Sequence, residues 1–76
     1  MTIHKRVLYG MRAAASCRAA HAAINDAIKA GEELNPPPDS VLIRLREARK
    51  AIVESNNAAE DYSVFYARPE NADKDR

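Results

Sequence analysis

Small and apolar residues recur along the first part of the chain at alternating spacings of four and three residues. This alternation corresponds to a period of about 3.5 residues, which is typical of a helix that packs along its length against a second helix. No proline interrupts the stretch, so the pattern predicts a first helix over residues 3–33. Its predicted contact positions are Ile3, Val7, Gly10, Ala14, Cys17, His21, Ile24, Ile28 and Gly31.

The segment Pro36–Pro38 ends this helix, because proline lacks a backbone N–H and disfavours helical backbone at the residue before it. The same alternating spacing then returns and continues until shortly before Pro69. We therefore predict a turn over residues 34–38 and a second helix over residues 39–67. The predicted contact positions of the second helix are Val41, Leu45, Ala48, Ile52, Ser55, Ala59, Tyr62 and Tyr66.

Folding the chain at the prolines places the two sets of contact positions opposite each other in antiparallel order. Bulky residues then oppose small ones, so that Val41 meets Gly31 and Tyr62 meets Gly10. The basic half of each helix also faces the acidic half of the other, which disfavours parallel or slipped arrangements. The sequence thus predicts an all-α fold over residues 1–68. The fold is an antiparallel two-helix hairpin with an Alacoil-like seam, meaning that the helices approach closely through alanine and glycine.

Further apolar residues lie beside the predicted seam, and a two-helix hairpin cannot cover them by itself. They are Leu8, Met11, Ala15, Ala19 and Ala22 on the first helix and Leu42, Ala51, Val53, Ala58, Val64 and Phe65 on the second. Exposed apolar stripes usually mark interfaces, and a chain this short rarely obtains more than about 3–5 kcal/mol from its own core. We therefore predict a homodimer that forms a four-helix bundle, or a higher homo-oligomer. A groove for a helix of another protein is a compatible interpretation.

Composition narrows the location and the class of protein. One cysteine cannot form an internal disulfide, and this indicates a reducing, cytoplasmic compartment. No apolar run approaches the roughly 18–20 residues of a membrane span, and the basic start is not followed by the apolar segment of a signal peptide. Residues 69–76 are small or charged without an apolar anchor, and we predict that they form a disordered tail.

The residues with chemical potential lie on the predicted seam. Cys17 and His21 are four apart and share one face of the helix, as a thiolate–imidazole pair or half of a metal site would. No third ligand shares their layer, so packing is the favoured role for both residues. The sequence also lacks a glycine-rich phosphate loop, paired catalytic carboxylates and a Ser-His-Asp arrangement. We therefore expect no catalytic site, no metal and no cofactor, and the protein is not predicted to be an enzyme.

The leading functional hypothesis is a small protein-binding module that acts as an adaptor, chaperone or inhibitor of a partner protein. The aromatic residues near the end of the second helix are either a plug for that end of the fold or an interaction hot spot, because tyrosine and arginine dominate such sites. The predicted partner-binding residues are Leu8, Met11, Arg12, Ala15, Tyr62, Phe65 and Tyr66.

The alternative hypothesis is an RNA- or nucleotide-binding helical bundle. It would use the basic residues Lys5, Arg6, Arg12 and Arg18 of the first helix. The formal net charge is only +1, and aromatic residues for base stacking do not alternate with the basic ones. The net charge and the missing aromatic residues favour the protein-binding hypothesis.

The predicted hairpin, over residues 3–68, resembles three groups of small helical proteins in its architecture. It is similar in plan to the Rop family of plasmid RNA-binding regulators, whose dimers are antiparallel four-helix bundles. It also resembles the hairpin co-chaperones and needle subunits of type III secretion, and, in size and helicity, small phage-encoded inhibitors of host proteins. These resemblances imply a phage- or plasmid-borne regulator or adaptor, and no residue role is carried over from them.

Overall fold

The structure, a computed structural model, describes residues 4–71. Within that range the chain forms helix α1 (Lys5–Glu32), helix α2 (Asp39–Ala67) and a short 3-10 helix (Pro69–Asn71), and no β-strand. The two long helices run antiparallel and pack against each other, forming a rod of 55 × 19 × 15 Å. The predicted all-α fold with two packed helices is confirmed.

Helix α1 begins two residues later than predicted, and a histidine caps it. The backbone of His4 is extended, and its Nδ1 atom accepts a hydrogen bond of 3.1 Å from the backbone N–H of Arg6. This bond satisfies one of the backbone donors that the first turn of a helix leaves without an intrahelical partner. At the other end, α1 stops one residue earlier than predicted, and the backbone N–H of Glu33 donates to the carbonyl of Lys29.

The proline segment reverses the chain and leads directly into α2. The Asn35–Pro36 peptide bond is cis. The backbone N–H of Asp39 donates to the carbonyl of Pro37, and that of Leu42 donates to the carbonyl of Pro38, both at 2.9 Å. Helix α2 therefore starts immediately after the prolines, with Asp39 in its first turn, where a carboxylate interacts favourably with the helix dipole.

The glycine nearest the turn shows that alternate contact positions of α2 are displaced by one residue from the prediction. A Cβ atom built on Gly31 would lie 2.9 Å from Cδ2 of Leu42. Leu42 is 2% exposed, whereas Val41, the predicted partner of Gly31, is 52% exposed. The assignment of Val41 to the seam was therefore wrong, and Leu42 occupies that position.

The helices are also in close contact at a glycine near the open end. A Cβ atom on Gly10 would lie 2.7 Å from the Cβ atom of Ser63 and 2.8 Å from the carbonyl oxygen of Ala59. Gly10 therefore faces Ser63 and Ala59, and the prediction that it faces Tyr62 was wrong. The predicted contact positions of α1 are confirmed within residues 4–71, since all of them there are buried or half-buried.

The shifted register places a column of mostly polar residues on the seam of α2. The column is Leu42, Arg49, Asn56 and Ser63, spaced seven residues apart, and each member is buried or half-buried. Arg49 donates to Oδ1 of Asn25 at 2.9 Å, and the Ser63 hydroxyl donates to the carbonyl of Val7 at 3.1 Å. Ser55, which was predicted to lie on the seam, is exposed, and its hydroxyl donates to the carbonyl of Ala51 in its own helix.

A cluster of aromatic and basic side chains closes the open end of the hairpin. Arg6 donates a hydrogen bond to the hydroxyl of Tyr62, and its guanidinium lies 5.4 Å from the ring centroid of Tyr66. The ring of His4 stacks on Tyr66, and the ring of Tyr9 meets Tyr62 edge-on. These contacts join the first turns of α1 to the last turns of α2.

The 3-10 helix folds back on the end of α2. Asn71 is 5% exposed, and its Nδ2 atom donates to the carbonyl of Phe65 at 2.9 Å. The predicted disordered tail, residues 69–76, is thus wrong for Pro69–Asn71, because the asparagine side chain satisfies a carbonyl near the end of α2. The remainder of that tail lies outside the described residues.

We predict that Gly10→Ala destabilises the hairpin. The new Cβ atom would overlap the backbone oxygen of Ala59 and the Cβ atom of Ser63, so the helices must move apart. Overpacking of this kind costs about 1–3 kcal/mol, which exceeds the gain of about 1 kcal/mol that alanine has over glycine in a helix. The measurement is urea denaturation at one fixed protein concentration.

Gly31→Ala is the matched control for this prediction. Its new Cβ atom would meet only the flexible end of the Leu42 side chain and a proline ring carbon at 3.5 Å. We expect its free energy of unfolding to stay within about 0.5 kcal/mol of the parent or to rise, because alanine has the higher helix propensity. Equal stabilisation by both substitutions would mean that the helices do not approach closely at Gly10.

We further predict that Tyr62→Phe weakens the open end of the hairpin. The substitution removes the acceptor of the Arg6 hydrogen bond and leaves the ring contacts in place. A hydrogen bond of this type contributes about 0.5–1.5 kcal/mol to the free energy of unfolding, which thermal or urea unfolding can measure. Tyr9→Phe is the control, since Tyr9 is 66% exposed, and it should change stability by less than about 0.5 kcal/mol. A Tyr62→Phe variant as stable as the control would contradict the prediction.

Candidate functional site

The hairpin has two broad faces, each formed by both helices, and the first of them carries ion pairs and grooves. We call it the groove face. Arg46 pairs with Glu32 at 2.9 Å across the seam on this face, and Arg18 pairs with Glu60 at 3.7 Å. The groove face consists of Leu8, Met11, Ala15, Arg18, Ala22, Asn25, Lys29 and Glu32 of α1, with Ile43, Arg46, Lys50, Val53, Asn57, Glu60 and Val64 of α2.

The opposite face consists mainly of alanine, and we call it the alanine face. The hydrogen bond from Arg6 to Tyr62 crosses the seam at one end of this face and shows which sides of the two helices form it. The alanine face consists of Tyr9, Ala13, Ser16, Ala20, Ala23, Ala27 and Ala30 of α1, with Val41, Arg44, Ala48, Ala51, Ser55, Ala58, Tyr62 and Phe65 of α2. The two faces therefore differ sharply in side-chain size and charge.

An apolar groove of about 480 Å³ lies between the helices on the groove face. Gly10 and Ala14 are buried beneath it, and the lack of large side chains at these two positions leaves the space open. Met11 and Val64 border the groove and are 53% and 56% exposed. The Arg18–Glu60 ion pair closes the groove toward the middle of the rod. The volume lies in the range of sites that hold small ligands or apolar side chains of a partner.

A second depression of about 280 Å³ follows on the same face toward the turn. Cys17, His21, Val53 and Asn56 are among its lining residues. The Oδ1 atom of Asn56 is buried in this region and has no hydrogen-bond partner among the described residues. A buried acceptor without a donor costs about 1–3 kcal/mol, and the Asn56 oxygen is itself not exposed to the depression.

The structure places Cys17 and His21 in this second depression but adds no third group for chemistry. The nearest recorded partner of His21 is Asn25, whose Nδ2 atom lies 3.2 Å from Nδ1 of the ring. Cys17 is half-buried and its thiol is free. Among residues 4–71, no group of three or more histidine, cysteine, aspartate or glutamate side chains is arranged to hold a metal ion. The pair thus contributes the polar and polarisable lining of the depression.

The predicted partner-binding residues do not form one surface. Leu8, Met11 and Ala15 lie on the groove face, and the latter two line the apolar groove. Tyr62 and Phe65 lie on the alanine face. Of the two remaining residues, Tyr66 is half-buried on the seam and Arg12 lies on the outer edge of α1. The displacement of one residue at this level of α2 places Ser63 on the seam and moves Tyr62 from its predicted seam position to the alanine face.

The groove also contains residues that the predicted site omitted. Ser63 and Glu60 line it together with Val64. Val64 was predicted only to be an apolar residue beside the seam, and this apolar character is the signal in the sequence that could have identified it. The unpaired oxygen of Asn56 could not have been inferred, because it depends on which neighbours the register brings close.

The basic residues of the alternative hypothesis are also dispersed. Arg6 contacts Tyr62 and Tyr66 at the open end, and Arg18 pairs with Glu60 on the groove face. Lys5 and Arg12 are exposed and project from the outer edge of α1. The four residues therefore point in three directions and do not make one continuous basic patch.

Several large apolar side chains of the described residues are exposed, at fractions between 38% for Leu8 and 66% for Tyr9. Met11, Ile43, Val53 and Val64 of the groove face are among them. Within residues 4–71, neither helix has an apolar stretch long enough to cross a lipid bilayer. No model of a known protein family matches the chain, and neither a curated protein nor a solved structure shows significant similarity to it.

Proposed function

We propose that this chain is a non-enzymatic, homo-oligomeric protein-binding module of the cytoplasm that acts as an adaptor, chaperone or inhibitor of a partner protein. The observation that carries the proposal is the apolar groove between the helices. Its floor is made by Gly10 and Ala14, and its borders, Met11 and Val64, are more than half exposed. Grooves of this kind between helices are recurrent binding sites for the apolar face of another helix.

The spacing of the two depressions supports a helical partner. Ala14 lies in the first depression and His21 in the second, seven residues apart on α1. Seven residues of helix span about 10.5 Å, so a helix laid along the groove face presents its residues i and i+7 to the two depressions. An apolar residue at i fills the groove, and a polar residue at i+7 fits the second depression, which Cys17, His21 and Asn56 line.

The charges on the outer edges add a preference for one orientation of the partner. Lys5 and Arg12 are exposed on the edge of α1, while Glu54 and Asp61 are exposed on the edge of α2. Beside the apolar groove, a partner helix with acidic residues toward α1 and basic residues toward α2 is therefore favoured, while toward the turn the edge of α1 is acidic, with Asp26 and Glu33. Such rim charges influence association rate and orientation more than affinity.

The small core supports the homo-oligomeric part of the proposal. Ala14, Ile28 and Leu42 are the buried apolar residues of the described chain, and no large side chain there is fully buried. A hairpin with so little buried area gains stability when a further helix pair covers its exposed faces. The four-helix bundle predicted from the sequence remains part of this proposal.

The alternative, an RNA- or nucleotide-binding bundle, has less support. Of its four basic residues, only Lys5 and Arg12 share one edge, while Arg6 and Arg18 contact side chains of α2. Binding of this kind would weaken steeply as salt rises, because the protein displaces counterions from phosphates. Burial of an apolar side chain in the groove depends far less on salt.

We predict that Ala15→Arg abolishes binding of a partner helix and that Ala19→Arg does not. Both alanines are exposed on α1, but Ala15 lines the groove and Ala19 faces outward from the opposite edge of the helix. The probe is a set of amphipathic helical peptides selected by display against the unaltered chain. We expect a loss of at least about tenfold in affinity for Ala15→Arg, equivalent to about 1.4 kcal/mol, and less than about twofold for Ala19→Arg.

The same peptides test the alternative function. Selected sequences should carry an apolar residue and a polar residue seven positions apart, and their affinity should change little between low and moderate salt. A selection that yields no helical binder, or binders that tolerate Ala15→Arg, would contradict the protein-binding proposal. Tight binding of a labelled RNA that weakens steeply with salt and is lost in Lys5→Glu with Arg12→Glu would establish the alternative instead.

A further inference from the structure

We propose that a second copy of this chain packs on the alanine face, antiparallel to the first, about a twofold axis level with Ala20 of α1 and Val53 of α2. The inference rests on the homo-oligomeric part of the proposed function and specifies the interface and its orientation. In this dimer each α1 lies against the α1 of the other copy, and each α2 against the other α2. The two groove faces then point outward, on opposite sides of a four-helix bundle.

The distribution of charge distinguishes the alanine face as the one that a second copy covers. Between Tyr9 and Ala30 of α1, and between Ala48 and Phe65 of α2, this face carries no charged side chain. The groove face, by contrast, carries charged residues along its whole length, including both ion pairs that cross the seam. Burying this stretch therefore removes no ionised group from water, and Arg44, nearer the turn, is the one charged residue in the alanine face as defined above. The desolvation cost is thus smaller than the groove face would incur.

The side chains of the alanine face along α1 are complementary to themselves in antiparallel order. Ala20 lies at the centre, where the helices of the two copies cross, and small residues continue on both sides of it. In the antiparallel arrangement Ala13 meets Ala27 of the other copy, and the bulky Tyr9 meets Ala30. Small residues thus oppose each other in the middle, and a large residue opposes a small one at each end, as close packing requires.

The order of side chains along α2 is symmetric about the same level. The hairpin register, in which Gly31 lies opposite Leu42 and Gly10 opposite Ser63, places Ala20 level with Val53. Around that level, Ala48 meets Ala58 of the other copy, and Val41 meets Phe65. Arg44, the one charged residue of the alanine face, pairs with Glu47 in its own helix and meets Tyr62 of the other copy, an aromatic partner on which a guanidinium can stack.

The shared centre of symmetry favours a second copy over an unrelated partner. An isologous interface about a twofold axis requires one patch to be complementary to itself, whereas a contact with another protein imposes no symmetry on the patch. Both helices of the alanine face meet this requirement at the same level of the rod. The face also exposes large apolar groups that dimerisation would cover, since Tyr9, Val41 and Phe65 are 66%, 52% and 41% exposed.

The area of the face is sufficient for a specific dimer. Residues 9–30 span about 32 Å of helix at 1.5 Å per residue. With a rod width of 19 Å, the face offers on the order of 600 Å² in projection per copy, which lies at the lower end of specific interfaces, where each partner contributes about 600–1,000 Å². Alanine at the contact lets the helices approach closely, so the packing is dense although the individual side chains are small.

The first experiment compares two charge substitutions in sedimentation equilibrium at micromolar concentrations. Ala23→Glu places a carboxylate on the alanine face, and Ala19→Glu places the same group on the outer edge of α1; both alanines are exposed. We expect twice the monomer mass for the unaltered chain, at least a hundredfold rise in the dimer dissociation constant for Ala23→Glu, and less than a threefold change for Ala19→Glu. A monomeric unaltered chain, or equal effects of the two substitutions, would overturn the inference.

The second experiment tests the orientation by disulfide formation under mild oxidation, in a Cys17→Ser background. We expect Ala20→Cys to cross-link with itself, because the two Ala20 positions meet at the axis within the reach of a disulfide. Ala27→Cys alone should not cross-link, but it should do so when mixed with Ala13→Cys. A dimer in which Ala20→Cys fails to cross-link would refute the antiparallel arrangement. If circular dichroism shows that Ala23→Glu has lost its helices, the cross-linking pattern decides the question by itself.

The selected helical peptides separate failure of this inference from failure of the proposed function. Ala23→Glu lies on the face opposite the groove, so the separated monomers should still bind the peptides with less than about a threefold change in affinity. A monomeric chain that binds them overturns the dimer and leaves the protein-binding function in place. A dimeric chain against which no helical peptide can be selected overturns the protein-binding function and leaves the dimer in place.

Discussion

The approach of the two helices at Gly10 is the constraint on which the rest of the structure depends. No side-chain atom fits between Gly10 and the backbone of α2, where a Cβ atom would lie 2.8 Å from the carbonyl oxygen of Ala59. Helices held this close have small residues at the contact and on its inner side, such as Ala14 and Ala59. The same closeness limits the apolar area that the seam can bury, and therefore the hairpin retains apolar surface on both of its faces.

The register that follows from this contact also divides the surface into two different faces. Side chains that follow the seam positions are long or charged and leave depressions between them, while those that precede the seam positions are mostly alanine. Neither face can be covered by another part of the hairpin, because the rod is only two helices, 15 to 19 Å, across. The two faces thus differ because the sequence places different side chains before and after the seam positions, and one helix register determines which positions those are.

The helices and the turn could be predicted from the sequence because periodicity and proline act locally. The seam of α1 could also be predicted, since its contact positions are small or apolar along the helix. Half of the seam of α2, namely Leu45, Ile52, Ala59 and Tyr66, could be predicted in the same way. The other half could not, because Arg49, Asn56 and Ser63 occupy it and form hydrogen bonds with α1 or with their own helix. A search for apolar spacing selects the neighbouring column instead. The residues that border the groove could not be predicted for the same reason, because they depend on which side of the α2 seam each residue occupies.

The two proposed interfaces can operate together because they use opposite sides of one rod. A dimer through the alanine face leaves both apolar grooves uncovered and directs them away from each other. Two partner helices, or two segments of one long partner, can then bind to a single dimer, and the second contact becomes effectively intramolecular. Such a bivalent arrangement raises the strength of binding without enlarging either groove. A groove that holds only a few apolar side chains is therefore sufficient for a stable complex when the chain is dimeric.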